Sequence, residues 1–277
     1  MRTKIDTIIC AAAIMLGISG CQDEFDPASY APPLNIGGYT SASQVAPTSL
    51  VAYWAFDESL TDSISNTAGE NTGTTFATGV KRQALQGSLN SYVTTVPSTG
   101  VTSLNSFTVS CWINTPPPST GIIGLFSLSN TNQFWGNIEV FIENGSTNEN
   151  GKLRIHINNG GGDKTYAADN VLNLFDKWVG LAVSYDATTS MVKVYVNGSR
   201  VSAGSVNGLT GPLNFANSGK IVFGTTQFQT TPSLTSATGK QDWASFLTGQ
   251  LDEFRIYNKA LSDDEVGALG KLEGRGK

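Results

Sequence analysis

The sequence has 277 residues, enough for one β-rich domain with a sizeable core, and a formal net charge of −5. Charged residues make up only 14% of the chain and form no basic cluster, which argues against nucleic acid as a partner. The sequence contains a single histidine, which argues against a histidine-based catalytic triad and against a histidine-rich zinc site.

The N-terminal segment has the features of a cleaved leader. Residues 1–4 are short and basic, and residues 8–20 are apolar but too few to stay across a bilayer, which predicts a signal peptide over residues 1–20. It ends in ISGC (residues 18–21), which resembles the lipobox of bacterial lipoproteins. The resemblance implies cleavage before Cys21 and acylation of that residue, which would anchor the chain in a membrane. The alternative is an ordinary secreted protein in which a cysteine happens to follow the leader.

The next segment predicts a spacer between lipid and domain. The short acidic tract QDE (residues 22–24) resembles the export signal of Bacteroides-type surface lipoproteins, which implies an outer-membrane protein exposed at the cell surface. Residues 25–48 contain proline and glycine/serine runs without an apolar period. We therefore predict a lipidated flexible tether over residues 21–48 and one domain over residues 49–277.

From residue 50 onward the pattern is that of a β-sandwich. Short apolar runs are separated by Gly, Asn, Asp or Pro turns, and no long helical period precedes Ser262. Strands are predicted at residues 106–114, 122–128, 220–224 and 251–257, with hairpins joining residues 137–143 to 152–158 and 178–185 to 191–197. Cys111 alternates with apolar residues and is predicted to lie in the core. Ser262 followed by Glu265 forms a capping box, which predicts a short C-terminal helix.

Five motifs occur in a fixed order along this region. They are WAFD (54–57), GVKRQALQG (79–87), SFTVSCWI (106–113), KWVGLAVSYD with VYVNG (177–186 and 194–198), and LDEFRIYN (251–258). The ordered set resembles laminin-G-like jelly-roll domains of the concanavalin A-like lectin/glucanase superfamily over roughly residues 50–269. The resemblance implies an all-β fold, a two-sheet antiparallel jelly-roll sandwich with a short C-terminal helix.

One predicted strand face carries the types of side chain that are found in glycan-binding sites. The outward positions of the first hairpin are Glu139, Phe141, Glu143, Arg154, His156 and Asn158. Sandwiches often bind glycans on the concave face of one sheet, where carboxylates, amides and a ring match sugar hydroxyls and the apolar side of a pyranose. The alternative is a solvated face on which Glu and Arg pair across the ladder, because nothing in the spacing demands a ligand.

Two tryptophans in polar surroundings are further candidates for carbohydrate binding. Trp135 follows a polar run, and Trp243 lies in the Thr/Ser/Gln-rich segment 225–248, which is long for a plain connection. A ring at a loop tip can stack on a sugar face. The alternative is that both rings cover the ends of the sandwich.

Carboxylates near the two ends of the domain form a candidate metal site. If the first and last strands are neighbours, Asp57 and Asp62 come close to Asp252. Oxygen ligands without His or Cys suit calcium, and laminin-G-like domains often hold one calcium ion at the rim, either structural or bridging to a ligand. The alternative is that these carboxylates accept backbone N–H bonds in turns.

The carboxylates do not favour catalysis. Glu139 and Glu143 are separated by about 13 Å along a strand, whereas glycosidases need carboxyl pairs about 5–5.5 Å or 6.5–9.5 Å apart. The Glu-x-Asp-x-x-Glu strand of the superfamily's glucanases is absent. The expected function is therefore non-catalytic binding of an oligo- or polysaccharide by a lipid-anchored surface protein. The family resemblance, and no residue of this sequence, implies a setting beside outer-membrane glycan-import proteins. The alternatives are a protein-binding or adhesive module and a divergent glycoside hydrolase or lyase.

Overall fold

The computed structural model describes residues 34–160 and 162–277, which form β-strands, two α-helices and two short 3-10 helices, Ala42–Gln44 and Pro47–Ser49. The strands are β1 (Leu50–Trp54), β2 (Gly69–Thr72), β3 (Thr75–Thr78), β4 (Gln83–Gln86), β5 (Tyr92–Thr95), β6 (Phe107–Asn114), β7 (Ile122–Asn130), β8 (Ile138–Asn144), β9 (Gly151–Asn158), β10 (Asp163–Val171), β11 (Val179–Asp186), β12 (Met191–Val196), β13 (Ser199–Ser205), β14 (Ser218–Phe223), β15 (Ala244–Ser245) and β16 (Gln250–Tyr257). The α-helices are α1 (Thr99–Thr102) and α2 (Asp263–Glu273). Within these residues no helix is both long and apolar enough to cross a membrane. The predicted leader, Cys21 and the acidic tract lie outside the described residues.

The strands form two sheets that enclose one apolar core. Sheet A has the order β13-β12-β11-β6-β16-β4-β3, with β1 paired to β16. Sheet B has the order β10-β9-β8-β7-β14-β5-β2, with the short β15 parallel to β7. All other pairings are antiparallel among the described strands, and the first and last strands are neighbours as the metal hypothesis required. The prediction of a two-sheet antiparallel sandwich with a short C-terminal helix is confirmed.

The hairpin of β8 and β9 shows how alternation positions the candidate site. Ile138 lies opposite Ile157, Val140 opposite Ile155 and Ile142 opposite Leu153, and all six side chains are buried in the core. Because side chains alternate along a strand, the residues between them point away from the core. The predicted assignment of outward positions in this hairpin is therefore confirmed. The predicted core position of Cys111 is also confirmed, and burial raises the pKa of its thiol.

The last strand departs from simple alternation. Leu251 and Phe254 both lie in the core, and the pairing with β6 shifts register between Asp252 and Arg255. Glu253 has φ +49°, so this is a β-bulge. Strict alternation would place Asp252 and Phe254 on one face of the strand, but the bulge inserts a residue between the core positions Leu251 and Phe254.

Helix α2 is fixed to sheet A by a buried ionic network. Ser262 and Glu265 form the predicted capping box. Arg255 Nη2 lies 2.6 Å from Glu253 Oε2, and Arg255 Nε lies 2.6 Å from Glu273 Oε1 at the end of α2. All three of these charged side chains are buried, and burial raises the pKa of Glu273 to about 6. The network joins a strand to the helix that closes the chain.

The domain begins earlier than predicted. Residues Asn35–Lys277 form one compact unit. Ala42 and Val45 are buried, and the Ala42 N–H donates to the Lys277 carbonyl over 3.3 Å. The boundary drawn at residue 49 is therefore wrong, because these small apolar side chains pack against the domain. The rest of the predicted tether, residues 21–33, lies outside the described residues.

Candidate functional site

A long connection passes over the outer face of sheet B. We call residues 225–248, between β14 and β16, the crossing segment. A Cβ added to Gly124 in β7 would lie 2.3 Å from the Thr225 carbonyl carbon and 2.4 Å from the Thr226 nitrogen. Backbone therefore packs directly on backbone here, which only glycine permits. The first six residues of the segment are all buried, so part of the sheet face is covered.

Glu139 attaches the crossing segment to β8. Its Oε2 accepts the Gly136 N–H over 2.8 Å, and its Oε1 accepts the Gln227 N–H over 3.2 Å. The side chain is 0% exposed, and burial raises its pKa to about 8 against the lowering effect of the two N–H groups. The expectation that Glu139 faces solvent is wrong, because the crossing segment covers it. Its carboxyl group offers no surface to a ligand.

Six rings form a second apolar layer outside sheet B. This aromatic cluster consists of Phe134, Trp135, Phe141, His156, Phe228 and Trp243. Trp135 lies nearly parallel to His156 and Phe141, with ring centroids 4.1 and 5.1 Å away and interplanar angles of 20°. The predicted candidates Trp135 and Trp243 are brought together, with ring centroids 6.0 Å apart. Trp135 lies over the sheet face because it stacks on the mid-strand residues Phe141 and His156, so it does not merely cover an end of the sandwich. Trp243 packs on Trp135, Phe134 and Phe228.

The cluster has a buried floor and an open edge. Phe141, His156 and Phe228 are buried, so the predicted outward rings of β8 and β9 are beneath other rings. Trp243 is 41% exposed and stacks on the partly buried Phe134 at 6.2 Å and 15°. The accessible aromatic surface therefore belongs to loop residues. Sequence reasoning missed Phe228, whose signal was a lone ring within a polar segment.

Arg154 and His156, beside the cluster, both contact carboxylates of neighbouring residues. Arg154 Nη2 lies 3.0 Å from Glu143 Oε2, and Arg154 also pairs with Asp169 on β10. His156 Nδ1 lies 2.8 Å from Asp163 Oδ2. The alternative of Glu–Arg pairing across the ladder is therefore what the structure shows. Partly exposed pairs of this kind contribute little to stability, and they leave Arg154 without an uncompensated charge.

The structure does not bring the three predicted metal ligands together. Each accepts backbone N–H groups instead: Asp62 from Tyr53 and Ile64, Asp57 from Gln83, and Asp252 from Val80, Lys81 and Glu253. Over residues 34–160 and 162–277, no three His, Cys, Asp or Glu side chains converge in a way that could hold a metal ion. Burial raises the pKa of Asp252 to about 7. Calcium binding stays a prediction, and the alternative of turn hydrogen bonding accounts for the observed contacts.

The sequence itself matches a family model over most of the domain. The laminin-G-type model described as the concanavalin A-like lectin/glucanases superfamily matches residues 86–267. The chain belongs to this family. A search of curated protein sequences finds no match.

Solved structures with a similar fold include one domain of an arabinanase and the binding domains of two toxins. Domain 4 of AbnA, an extracellular arabinanase from Geobacillus stearothermophilus, in complex with arabinotriose, is 22% identical with a TM-score of 0.54, covering 80% of this chain and 98% of that one. The binding domain of Paraclostridial Mosquitocidal Protein 1 is 20% identical with a TM-score of 0.57, covering 80% and 52%. The binding domain of botulinum neurotoxin DC in complex with SialylT is 15% identical with a TM-score of 0.55, covering 84% and 52%. The chain thus spans about half the length of the toxin domains, and at these identities the likeness concerns the fold.

Proposed function

We propose that this laminin-G-type domain binds carbohydrate without catalysis, through the open edge of the aromatic cluster. The observation that carries the proposal is the cluster itself, with Trp243 41% exposed on a base of mutually stacked rings. A ring held rigidly by other rings loses little conformational freedom when a sugar stacks on it, and its face matches the apolar side of a pyranose. Neighbours of the same fold solved with arabinotriose or SialylT support the proposal by analogy alone.

The carboxylates support binding over catalysis. Burial raises the pKa of Glu139 to about 8, a shift of the kind found in catalytic acids. Both Glu139 oxygens nevertheless accept backbone N–H groups, and the side chain has no exposed surface. Asp163 is engaged by His156. These groups hold the loops in position, so the site is built to present rings.

The test is affinity electrophoresis of the purified protein in a panel of neutral and acidic polysaccharides, each run with calcium and with chelator. Trp243→Ala and Trp135→Ala are compared with Val201→Ala, which removes an exposed apolar side chain from sheet A. We expect retardation by at least one polysaccharide and about tenfold weaker binding in each tryptophan variant, equivalent to about 1.4 kcal/mol of stacking. Loss of binding on chelation alone would support calcium. Folded protein that no polysaccharide retards would contradict the proposal and favour a protein partner.

We further propose that the protein acts from a lipid anchor at the outer surface of the outer membrane, capturing polysaccharide beside glycan-import proteins. The leader, the ISGC sequence and Cys21 support this setting. Metabolic labelling with a palmitate analogue should mark the parent protein and not Cys21→Ser, and protease added to intact cells should remove the domain. Equal labelling of both proteins would contradict the anchor.

A further inference from the structure

The rings of the aromatic cluster leave no slot between them around Trp243. Three other rings surround it, at centroid distances of 6.2 Å (Phe134), 6.0 Å (Trp135) and 5.6 Å (Phe228). A sugar held between two aromatic planes needs an atomic contact of about 3.5–4.0 Å on each side, so the planes must lie roughly 7–8 Å apart. None of the three distances reaches this value. The rings therefore pack on one another and cannot enclose a sugar.

Trp243 offers a ligand one face of its indole. Phe134 lies nearly parallel to the indole, at an interplanar angle of 15°, and so covers one of its two faces. A ligand can therefore stack only on the opposite face, which belongs to the exposed 41% of the residue. The backbone holds this face in position, because the Trp243 carbonyl accepts the Ile122 N–H over 3.1 Å at the start of β7. A sugar stacked there contacts the indole on one side and keeps its other side free.

The sheet face beside the cluster continues to an open edge. Thr165 on β10 lies opposite His156 of the cluster, and Ala167 lies opposite Arg154. Paired residues of neighbouring strands point to the same side of a sheet, and both β10 residues are exposed. Among the described strands, β10 is the edge of sheet B. A sugar chain that leaves the cluster in this direction crosses one exposed strand, about 5 Å wide, and then reaches solvent.

The crossing segment bounds the cluster on the side away from β10. Its backbone packs on Gly124 of β7, and it carries both Phe228 and Trp243. The site therefore has the shape of a step, with the outward face of β8 to β10 as its floor and the crossing segment as its wall. A step supports a chain along its length, whereas recognition of a chain end needs a concave pocket that closes around the terminal residue.

We propose that the step binds internal stretches of an extended polysaccharide, with one sugar residue stacked on Trp243 and its neighbours continuing along the step, and that it does not recognise chain ends. The inference rests on the proposed carbohydrate binding. In a polysaccharide with a regular repeat, every internal residue can occupy the indole face equally well. The affinity per sugar residue is then the same in long and in short chains, whereas binding to chain ends follows the number of chains.

The test changes the number of chain ends at constant mass. Linear arabinan, arabinoxylan and mixed-linkage β-glucan are titrated into the purified protein by calorimetry, both intact and after partial hydrolysis to about one tenth of their length. We expect the half-saturating concentration, in sugar residues, to change by less than about twofold, and borohydride reduction of the chain ends to have no effect. Trp243→Ala should bind both preparations about tenfold more weakly, and Val201→Ala, which removes another exposed apolar side chain, is the control.

The outcomes separate the inference from the proposal on which it rests. A half-saturating concentration that falls about tenfold on hydrolysis would show that chain ends are bound, which overturns the inference and leaves carbohydrate binding intact. Loss of binding on borohydride reduction would have the same meaning for the reducing end. Equal binding by Trp243→Ala and the parent would show that the chain does not lie on the indole, and would overturn both. Absence of binding to every polysaccharide would also overturn both.

Discussion

Replacing Glu139 with glutamine is expected to change how the stability of the domain depends on pH. Burial raises the pKa of Glu139 in the folded protein from an ordinary value of 4.5 to about 8. A carboxyl group whose pKa rises on folding stabilises the folded state most below its unfolded value, and this contribution is lost as the pH rises to the folded value. At 1.36 kcal/mol per pH unit, the loss between pH 4.5 and about 8 is about 5 kcal/mol.

The glutamine in Glu139→Gln cannot ionise, so the stability of this variant does not fall with rising pH through this position. Its amide oxygen can accept the N–H of Gly136 or of Gln227, but its amide nitrogen then faces the other N–H. That mismatch costs about 1–3 kcal/mol at every pH. The variant should be the less stable protein near pH 4.5 and the more stable one above pH 8, with the two stability curves crossing between about pH 5 and 7.

The assay is urea unfolding followed by tryptophan fluorescence at half-unit steps from pH 4.5 to 9, analysed by linear extrapolation. Asp252 and Glu273 also have raised pKa values, about 7 and about 6, and titrate in the same range. Both groups are present in each protein, so their effects cancel in the difference. A difference in unfolding free energy that is independent of pH would refute the reasoning, because it would show that Glu139 is ionised throughout.

Three other substitutions test the packing that supports the site. Arg255→Met should lower the unfolding free energy by about 3–5 kcal/mol in urea, because it leaves Glu253 and Glu273 buried without a counter-ion; parental stability would mean that water already reaches them. Ser262→Ala should lower the unfolding free energy by about 1 kcal/mol, because it removes the N-terminal cap of α2. An unchanged urea midpoint would contradict the capping geometry. Gly124→Ala should cost about 1–3 kcal/mol and weaken glycan binding, since the added methyl displaces the crossing segment; unaltered binding would separate that segment from the site.

The fold was predictable because period-2 patterns admit few alternatives. In the β8–β9 hairpin, a one-residue slip would turn Ile138, Val140 and Ile142 out of the core, so the register follows from the sequence. The bulge at Glu253 was not predictable, because its positive φ depends on how β16 pairs with β6. The two tryptophans were identified from their polar neighbours, and the structure explains their proximity through the crossing segment.

Local sequence patterns could not predict that the crossing segment covers part of the outward face of β8 and β9. Alternation correctly turned Glu139 outward, but its burial depends on Gln227, 88 residues later in the chain. Gly124 was a local indication of this cover, because a glycine within a strand of large apolar residues marks a close approach of another backbone segment.

The polar composition of the crossing segment, which at first indicates exposure, is what makes its burial possible. A segment outside the sheet ladder needs other partners for the backbone groups it covers. Gln227 donates to the Gln133 and Phe134 carbonyls, and Gln229 donates to the Ala244 carbonyl over 2.6 Å. These amides replace missing ladder bonds and hold Phe228 against the sheet. In this chain, the glutamines on either side of Phe228 therefore allow a polar segment to be buried while it carries a ring.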